Sequence, residues 1–383
     1  MGGSREVRRS IASFTVFVIL LSFMLFGVTT YSAEPIKIGF NLEITGPVAG
    51  YGQMGWEGAQ LMRELMPMEV LGRPVEFVLV DNKSDRVEAS NATSRLIERE
   101  KVVAIIGPMI SGSTLAAGDI CEKKEVPIIS PSATNPLVTQ GKSYVFRACY
   151  IDPFQAEIAA KYSYEDLGAR TAAVLFDISN DYCVALGQYF KSAFESMGGE
   201  VVVHTPCNAG DQDFSAQLTA IKTANPDVIY LPNYYEEVGL ILRQAKDLGL
   251  TQPILSADGV DVPEIWDLAG PAIEGLMNTA HWHEDAGMTD IGKKYIEAYK
   301  AKYAGKEVNS FGALAADCVI MVLDAIERAG STDPKAIRDA LAATKDLEVV
   351  TGFVSMDNGD AVKAAVIREA RDGEWKFKAV VNP

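Results

Sequence analysis

Short β-branched runs alternate with longer amphipathic stretches along nearly the whole chain, and no other feature limits its fold so tightly. Residues 36–40 read as a strand, 55–66 as a helix, 75–80 as a strand, 86–100 as a helix and 102–106 as a strand. A helix at 113–124, a strand at 126–130 and an extended stretch at 144–148 continue the series. The rhythm restarts with helix 153–167, strand 171–176, helix 182–196 and strand 201–204. Helix 214–223, strand 228–231, helix 236–248 and strand 253–256 complete the second run. Two long helices near 291–303 and 311–329 follow, then a short one after Pro334. A last pair at 364–370 and 375–380 is turned by Arg371-Asp372-Gly373. An alternating βαβα order specifies an α/β fold in which a parallel sheet carries helices on both faces. Two such runs predict two similar lobes. No Ser/Gly/Pro-rich linker separates them, so several ordered crossings join them, and a cleft between two such lobes suits closure on a small molecule.

Composition narrows the partners. Hydrophobic residues make up 48% and charged ones 22% of the chain, which excludes wholesale disorder. Acidic residues number 51 against 35 basic ones, a net charge of -16 that repels phosphate backbones and anionic lipid, so nucleic acid is excluded as a partner. The N-terminus differs from the rest. Arg5, Arg8 and Arg9 precede an apolar run over 11–28, and small residues at Thr30, Ser32 and Ala33 lead into Glu34-Pro35. That order predicts a secretory signal over residues 1–33, cut after Ala33 or Ser32; a permanent anchor is the other reading of the run. No cysteine lies near the cut, against a lipid anchor. Removing three basic residues and one acidic one takes the net charge from -16 to -18.

Several motifs look chemical and fail in context. Gly50-Tyr51-Gly52-Gln53-Met54-Gly55 matches GxGxxG, but the first strand stops near Leu42, well before the first glycine, where a dinucleotide fold needs it at the strand end. The segment reads instead as a flexible loop carrying Tyr51 to a cleft, with a dinucleotide-binding oxidoreductase as a lesser alternative. Asp81-Asn82-Lys83-Ser84-Asp85 begins like a calcium loop, yet lysine and arginine stand where a ligand and the turning glycine belong. A strand end and a helix cap explain it. The five cysteines (Cys121, Cys149, Cys183, Cys207, Cys318) form no CxxC, and their odd number leaves at least one thiol unpaired. His281-Trp282-His283 places two imidazoles on one face if extended; it reads as a partly exposed strand end rather than a metal site. No hydrolase elbow, phosphate loop or HExxH occurs, so neither an enzyme nor a cofactor is expected.

Polar residues at the carboxyl ends of strands carry the positive signal, since open α/β sheets bind ligands there. Gly107-Pro108-Met109-Ile110-Ser111-Gly112-Ser113-Thr114 runs from a strand into a helix N-terminus, where hydroxyls and free N–H groups suit an anion. Ser130-Pro131-Ser132-Ala133-Thr134-Asn135-Pro136 adds hydroxyls one strand away. In the second run the strand ends carry acids and aromatics: Asp177 to Tyr182, Tyr234-Tyr235 and Asp258. A carboxylate facing a carboxylate-binding lobe suits an α-amino acid's ammonium, with the tyrosines lining an apolar pocket.

These segments, with Gly46-Pro47-Val48-Ala49-Gly50-Tyr51-Gly52, Asn233-Tyr234-Tyr235-Glu236-Glu237-Val238-Gly239, Arg243-Gln244-Ala245 and Asp258-Gly259-Val260, resemble the periplasmic leucine/isoleucine/valine-type solute-binding proteins of ATP-driven importers. The resemblance covers nearly all of the chain after the leader. It implies two Rossmann-like lobes joined by three crossings, a Venus flytrap, with 34–151 and 282–360 in lobe 1 and 152–281 and 361–383 in lobe 2. It implies that Ser111, Ser132 and Thr134, with Ala133 between them, hold a ligand carboxylate and help with its amine. Tyr51, Tyr182, Tyr234 and Phe311 would line the side-chain pocket, and Asp258 would take the ammonium where leucine binders usually have glutamate; Asp181 is the next candidate. The cysteine pair that some relatives bridge falls on other residues here. The implied function is capture of a branched-chain or aromatic amino acid in the periplasm by a monomer that delivers it to the membrane permease of an ABC importer. A ligand sensor for a signalling partner would share the pocket.

Overall fold

The computed structural model describes residues 34–286 and 289–383, so the leader lies outside the described residues. Everything below concerns the compact unit Pro35–Pro383. Among the described residues no helix is long and apolar enough to cross a membrane.

The first sheet is built from β1 (Ile36–Leu42), β2 (Glu69–Val70), β3 (Arg73–Asp81), β4 (Ala104–Ile106), β5 (Ile128–Ser130) and β6 (Val145–Arg147), in the order β2-β3-β1-β4-β5-β6. Apart from the β2–β3 hairpin its neighbours are parallel. Ile36, Ile38, Phe40 and Leu42 are all buried, as are all three residues of both β4 and β5. Near-continuous apolar runs are what a sheet covered on both faces demands. The second sheet takes β7 (Thr171–Asp177), β8 (Glu200–Cys207), β9 (Val228–Leu231), β10 (Ile254–Ser256) and β11 (Met277–Ala280), again parallel. A small antiparallel sheet of β12 (Leu347–Val349), β13 (Gly352–Asp357) and β14 (Asp360–Val362) follows in the chain. The antiparallel pair β15 (Ala365–Arg371) and β16 (Glu374–Val381) then closes the second sheet beside β11, in the order β16-β15-β11-β10-β9-β7-β8.

The two sheets are therefore two lobes, and the chain passes between them three times: after β6, after β11 and after β14. Between the second and third passages, helices Asp290–Lys302 and Ser310–Ala329 return to pack on helix Ala49–Leu65 of the first lobe. Helix Ser310–Ala329 is buried around most of its circumference, and Asn309 caps it by accepting the Gly312 N–H at 2.7 Å.

Strand order alone locates the functional edge. The chain leaves β1 toward β3 on one side and reaches β4 on the other, so a crevice opens beyond the carboxyl ends of β1 and β4. The same reversal occurs around β7, between β8 and β9.

Helix Ala49–Leu65 begins six residues before the expected start, and the loop predicted to carry Tyr51 is its first turn. Its glycines explain why. A Cβ on Gly52 would sit 2.2 Å from the Glu43 carbonyl oxygen, and one on Gly58 would sit 2.0 Å from that of Gly312. Both permit close backbone approach inside the protein, so the middle glycine of the GxGxxG match has a packing reason that needs no phosphate. Gly58→Ala should therefore overpack the contact with helix Ser310–Ala329 and destabilise by roughly 1–3 kcal/mol. Gly187→Ala, in helix Asp181–Ser196 with its nearest neighbour an ordinary 3.5 Å away, should instead be neutral or stabilise by about 0.5–1 kcal/mol. Denaturant melts of the two variants measure both signs.

Candidate functional site

Tyr51, Met109, Ile110, Ser111, Ser132, Tyr182, Tyr234, Asp258, Gly259 and Phe311 enclose a cavity between the two sheet edges, with an empty volume of about 240 Å³. Only about 10 Å³ of it is free for a water-sized molecule, so the side chains nearly fill the closed cleft.

The first-lobe wall is rich in hydroxyls and free N–H groups. Ser111 opens helix Ser111–Lys124 after the uncapped Ile110, so the first-turn N–H groups face the crevice. The Ser111 hydroxyl accepts the Asn135 N–H at 3.2 Å, and the Ser132 hydroxyl donates to the Met109 carbonyl at 2.8 Å. Below them Arg147, fully buried, holds the Ser130–Pro136 turn in shape: its guanidinium donates to the carbonyls of Ala133 at 2.8 Å and Asn135 at 2.9 Å, and meets Asp360 at 2.6 Å. Ala133 and Thr134 are buried in that turn but do not line the cavity.

The second-lobe wall centres on Asp258, 3% exposed just past β10. One carboxylate oxygen accepts the Tyr182 hydroxyl at 2.8 Å, and the other lies 3.0 Å from His281 Nε2. Gln155 fixes the backbone beneath, its side-chain oxygen accepting the Asp258 N–H at 3.1 Å and the hydroxyls of Tyr150 and Thr279. A carboxylate offers about four lone-pair sites, so Asp258 keeps acceptor capacity for a third partner. Tyr182 stacks on Tyr234 at 5.2 Å, and Tyr51 packs on Tyr234, Tyr235 and Phe311 at 5.5, 5.3 and 4.9 Å. Burial pushes the phenols of Tyr51 and Tyr182 well up, with Asp258 adding to the effect, so both remain neutral donors.

The cleft is closed. Tyr51 donates to the Gly259 carbonyl at 2.5 Å, and Tyr235 to that of Pro47 at 3.1 Å. Asp181, the second candidate for an ammonium, lies outside the cavity: its carboxylate pairs with Arg86 and its carbonyl accepts from Asn135 at 3.0 Å, both across the cleft. It is a rim contact.

Of the nine residues singled out from sequence, Tyr51, Ser111, Ser132, Tyr182, Tyr234, Asp258 and Phe311 share the cavity wall. Two groups behind it went unforeseen. Asp152 opens helix Asp152–Lys161 fully buried beside the Thr134 hydroxyl. Burial pushes its carboxyl up to about 8, partly offset by Thr134 and reinforced by the charge of Asp258. Its only sequence signal was an acid opening a helix, which an exposed first turn equally favours. His281 corrects an expectation: it is 5% exposed against Asp258, not a partly exposed strand end. Among the described residues no group of three or more His, Cys, Asp or Glu could hold a metal. Asp85 caps helix Arg86–Arg95, accepting the N–H groups of Val87 and Glu88, as the reading against a calcium loop required. All five cysteines are buried free thiols.

The sequence profile of the family described as periplasmic binding protein matches residues 35–374. A leucine-, isoleucine-, valine-, threonine- and alanine-binding protein of Pseudomonas aeruginosa is 34% identical over 344 residues, 88% of this chain and 90% of that protein. The crystal structure of the leucine binding protein LivK from Thermotoga maritima superposes with a TM-score of 0.89 at 44% identity, covering 91% of this chain and 99% of that one. The substrate-binding protein LivJ of a branched-chain amino acid transporter from Streptococcus pneumoniae, solved with isoleucine, gives 0.86 at 36% identity over 91% and 100%. The chain belongs to the periplasmic binding protein family, and these relatives within it are of the leucine/isoleucine/valine type.

Proposed function

We propose that this protein captures a small α-amino acid with an apolar side chain, of the leucine type, outside the cytoplasm and delivers it to the permease of an ABC importer. The closed cavity carries the reading. Its hydroxyl and N–H wall at Ser111 and Ser132 suits a carboxylate, Asp258 faces it with an anionic oxygen for an ammonium, and tyrosines and Phe311 leave an apolar space between them. The names of the relatives agree with that chemistry. The leader over residues 1–33 would place the protein in the periplasm. No group in the wall is arranged to make or break a bond in the ligand. A ligand bridging both lobes stabilises the closed state by its differential affinity for it.

Calorimetry with leucine and with 4-methylpentanoate, which lacks the amine, tests the assignment. Truncating one member of a buried charge pair costs about 2–5 kcal/mol, so Asp258→Asn should weaken leucine binding roughly 30-fold or more. The same substitution should leave binding of 4-methylpentanoate nearly unchanged. Equal leucine affinity in parent and variant would remove Asp258 from the site.

Asp152 adds a second measurement. With its carboxyl pushed up to about 8, it is largely protonated at pH 7. A cation held at the neighbouring Asp258 favours the ionised form, so capture should expel that proton. Calorimetry at pH 7 in buffers of different ionisation enthalpy should show proton release by the parent and a smaller release by Asp152→Asn.

A further inference from the structure

His281 follows the last residue of β11 and begins the second passage between the lobes. Its ring lies 4.4 Å from that of Tyr150 and 5.8 Å from that of Phe311, and its Nε2 is 3.0 Å from Asp258. An ionised carboxylate only accepts hydrogen bonds, so Nε2 carries the hydrogen and Nδ1 of the neutral ring is bare. Nδ1 is buried and has no partner in the protein. His281 also lines a larger, open pocket of about 470 Å³ among the crossing segments, with Trp282, Thr289, Thr351 and Lys363. His281 therefore borders both this pocket and the carboxylate that faces the ligand.

We infer that His281 is the positioning residue of the ammonium subsite, holding Asp258 toward the ligand while neutral and displacing the ligand's ammonium when protonated at Nδ1. The inference rests on the amino-acid reading above. A neutral ring gives Asp258 one hydrogen bond and leaves its negative charge for the ligand. A second proton turns the ring into a cation 3.0 Å from that charge, and the site then holds a completed ion pair facing an incoming ammonium.

The other groups around the ring do not supply this behaviour in its place. Tyr150 and Tyr182 are phenols pushed well up by burial, and Phe311 is apolar. Lys363 lines the same cavity from the third passage but is neutralised by Asp317 at 2.6 Å. Asp152 acts on the same subsite through Asp258, and its protonation in acid weakens capture whatever residue stands at 281.

The test is leucine binding by calorimetry between pH 8 and pH 5 for the parent, His281→Gln and His281→Phe, with folding checked by circular dichroism. Glutamine keeps an N–H donor for Asp258 and cannot gain a proton; phenylalanine keeps the ring and loses the donor. The parent should lose roughly tenfold or more in affinity on acidification beyond what His281→Gln loses. His281→Gln should bind within about threefold of the parent at pH 8, whereas His281→Phe should be at least tenfold weaker there. Parallel pH profiles for the parent and His281→Gln overturn the inference, while failure of the parent to bind leucine at pH 8 overturns the reading beneath it. The unmutated protein gives an independent check, because linkage is reciprocal. Saturating leucine should move the His281 imidazole titration, followed by nitrogen NMR, to lower pH, and an unmoved titration rejects the coupling.

Discussion

A carboxylate closed off from water must find partners, and the architecture of this protein turns on how Asp258 finds its own. Left unpaired, such a charge is costly enough to change protonation state or disrupt its surroundings. Here Tyr182 reaches it from the helix after β7, His281 from the end of β11, and Gln155 steadies the backbone from the helix that starts the second lobe. Three separate elements are thus held in register by one residue. The ring of Tyr182 then sets Tyr234, which in turn packs on Tyr51 of the opposite lobe. The apolar part of the pocket is in this sense a continuation of the polar part.

The facing wall follows the same logic with the signs exchanged. Arg147 is a buried cation whose donors are consumed by carbonyls of the Ser130–Pro136 turn, by Thr139 and by Asp360. Its planar fork fixes several acceptors at once in a way that a lysine could not. Because Asp360 belongs to β14, just before the third passage, the shape of the first-lobe turn depends on a strand more than 200 residues away in sequence. Mutations near the crossings can therefore disturb the pocket without touching it.

How much of this was legible beforehand differs by residue. Strands such as β1, β4, β5, β7 and β9 were readable because they are short apolar runs buried along most of their length, whereas β11, Met277–Ala280, was missed; the strand-end hydroxyls and tyrosines stood where parallel sheets present ligands. Helix Ala49–Leu65 was misjudged at its start, since Gly50 and Gly52 disfavour a helix locally and Val48 offers no side-chain cap. Close packing against Glu43 overrode that preference. The strands β12 and β14 went unseen because three-residue segments carry no periodicity to read. Asp152 and His281 are ordinary polar residues by type; only the three-dimensional fold buries them beside Asp258.

The order of strands in the second sheet also bears on how the molecule comes into being. β15 and β16 lie beside β11, yet in the chain they come after every strand of the first lobe. Helix Ser310–Ala329, which fills the first lobe against Ala49–Leu65, is nearly as late. Each half must therefore wait for pieces encoded after the main run of the other. Such long sequence separations slow folding, because loop closure must precede the contacts that reward it. A chain of this design keeps its second sheet open at β11 until residues 365–381 have joined it, so neither lobe is finished from one continuous stretch of sequence.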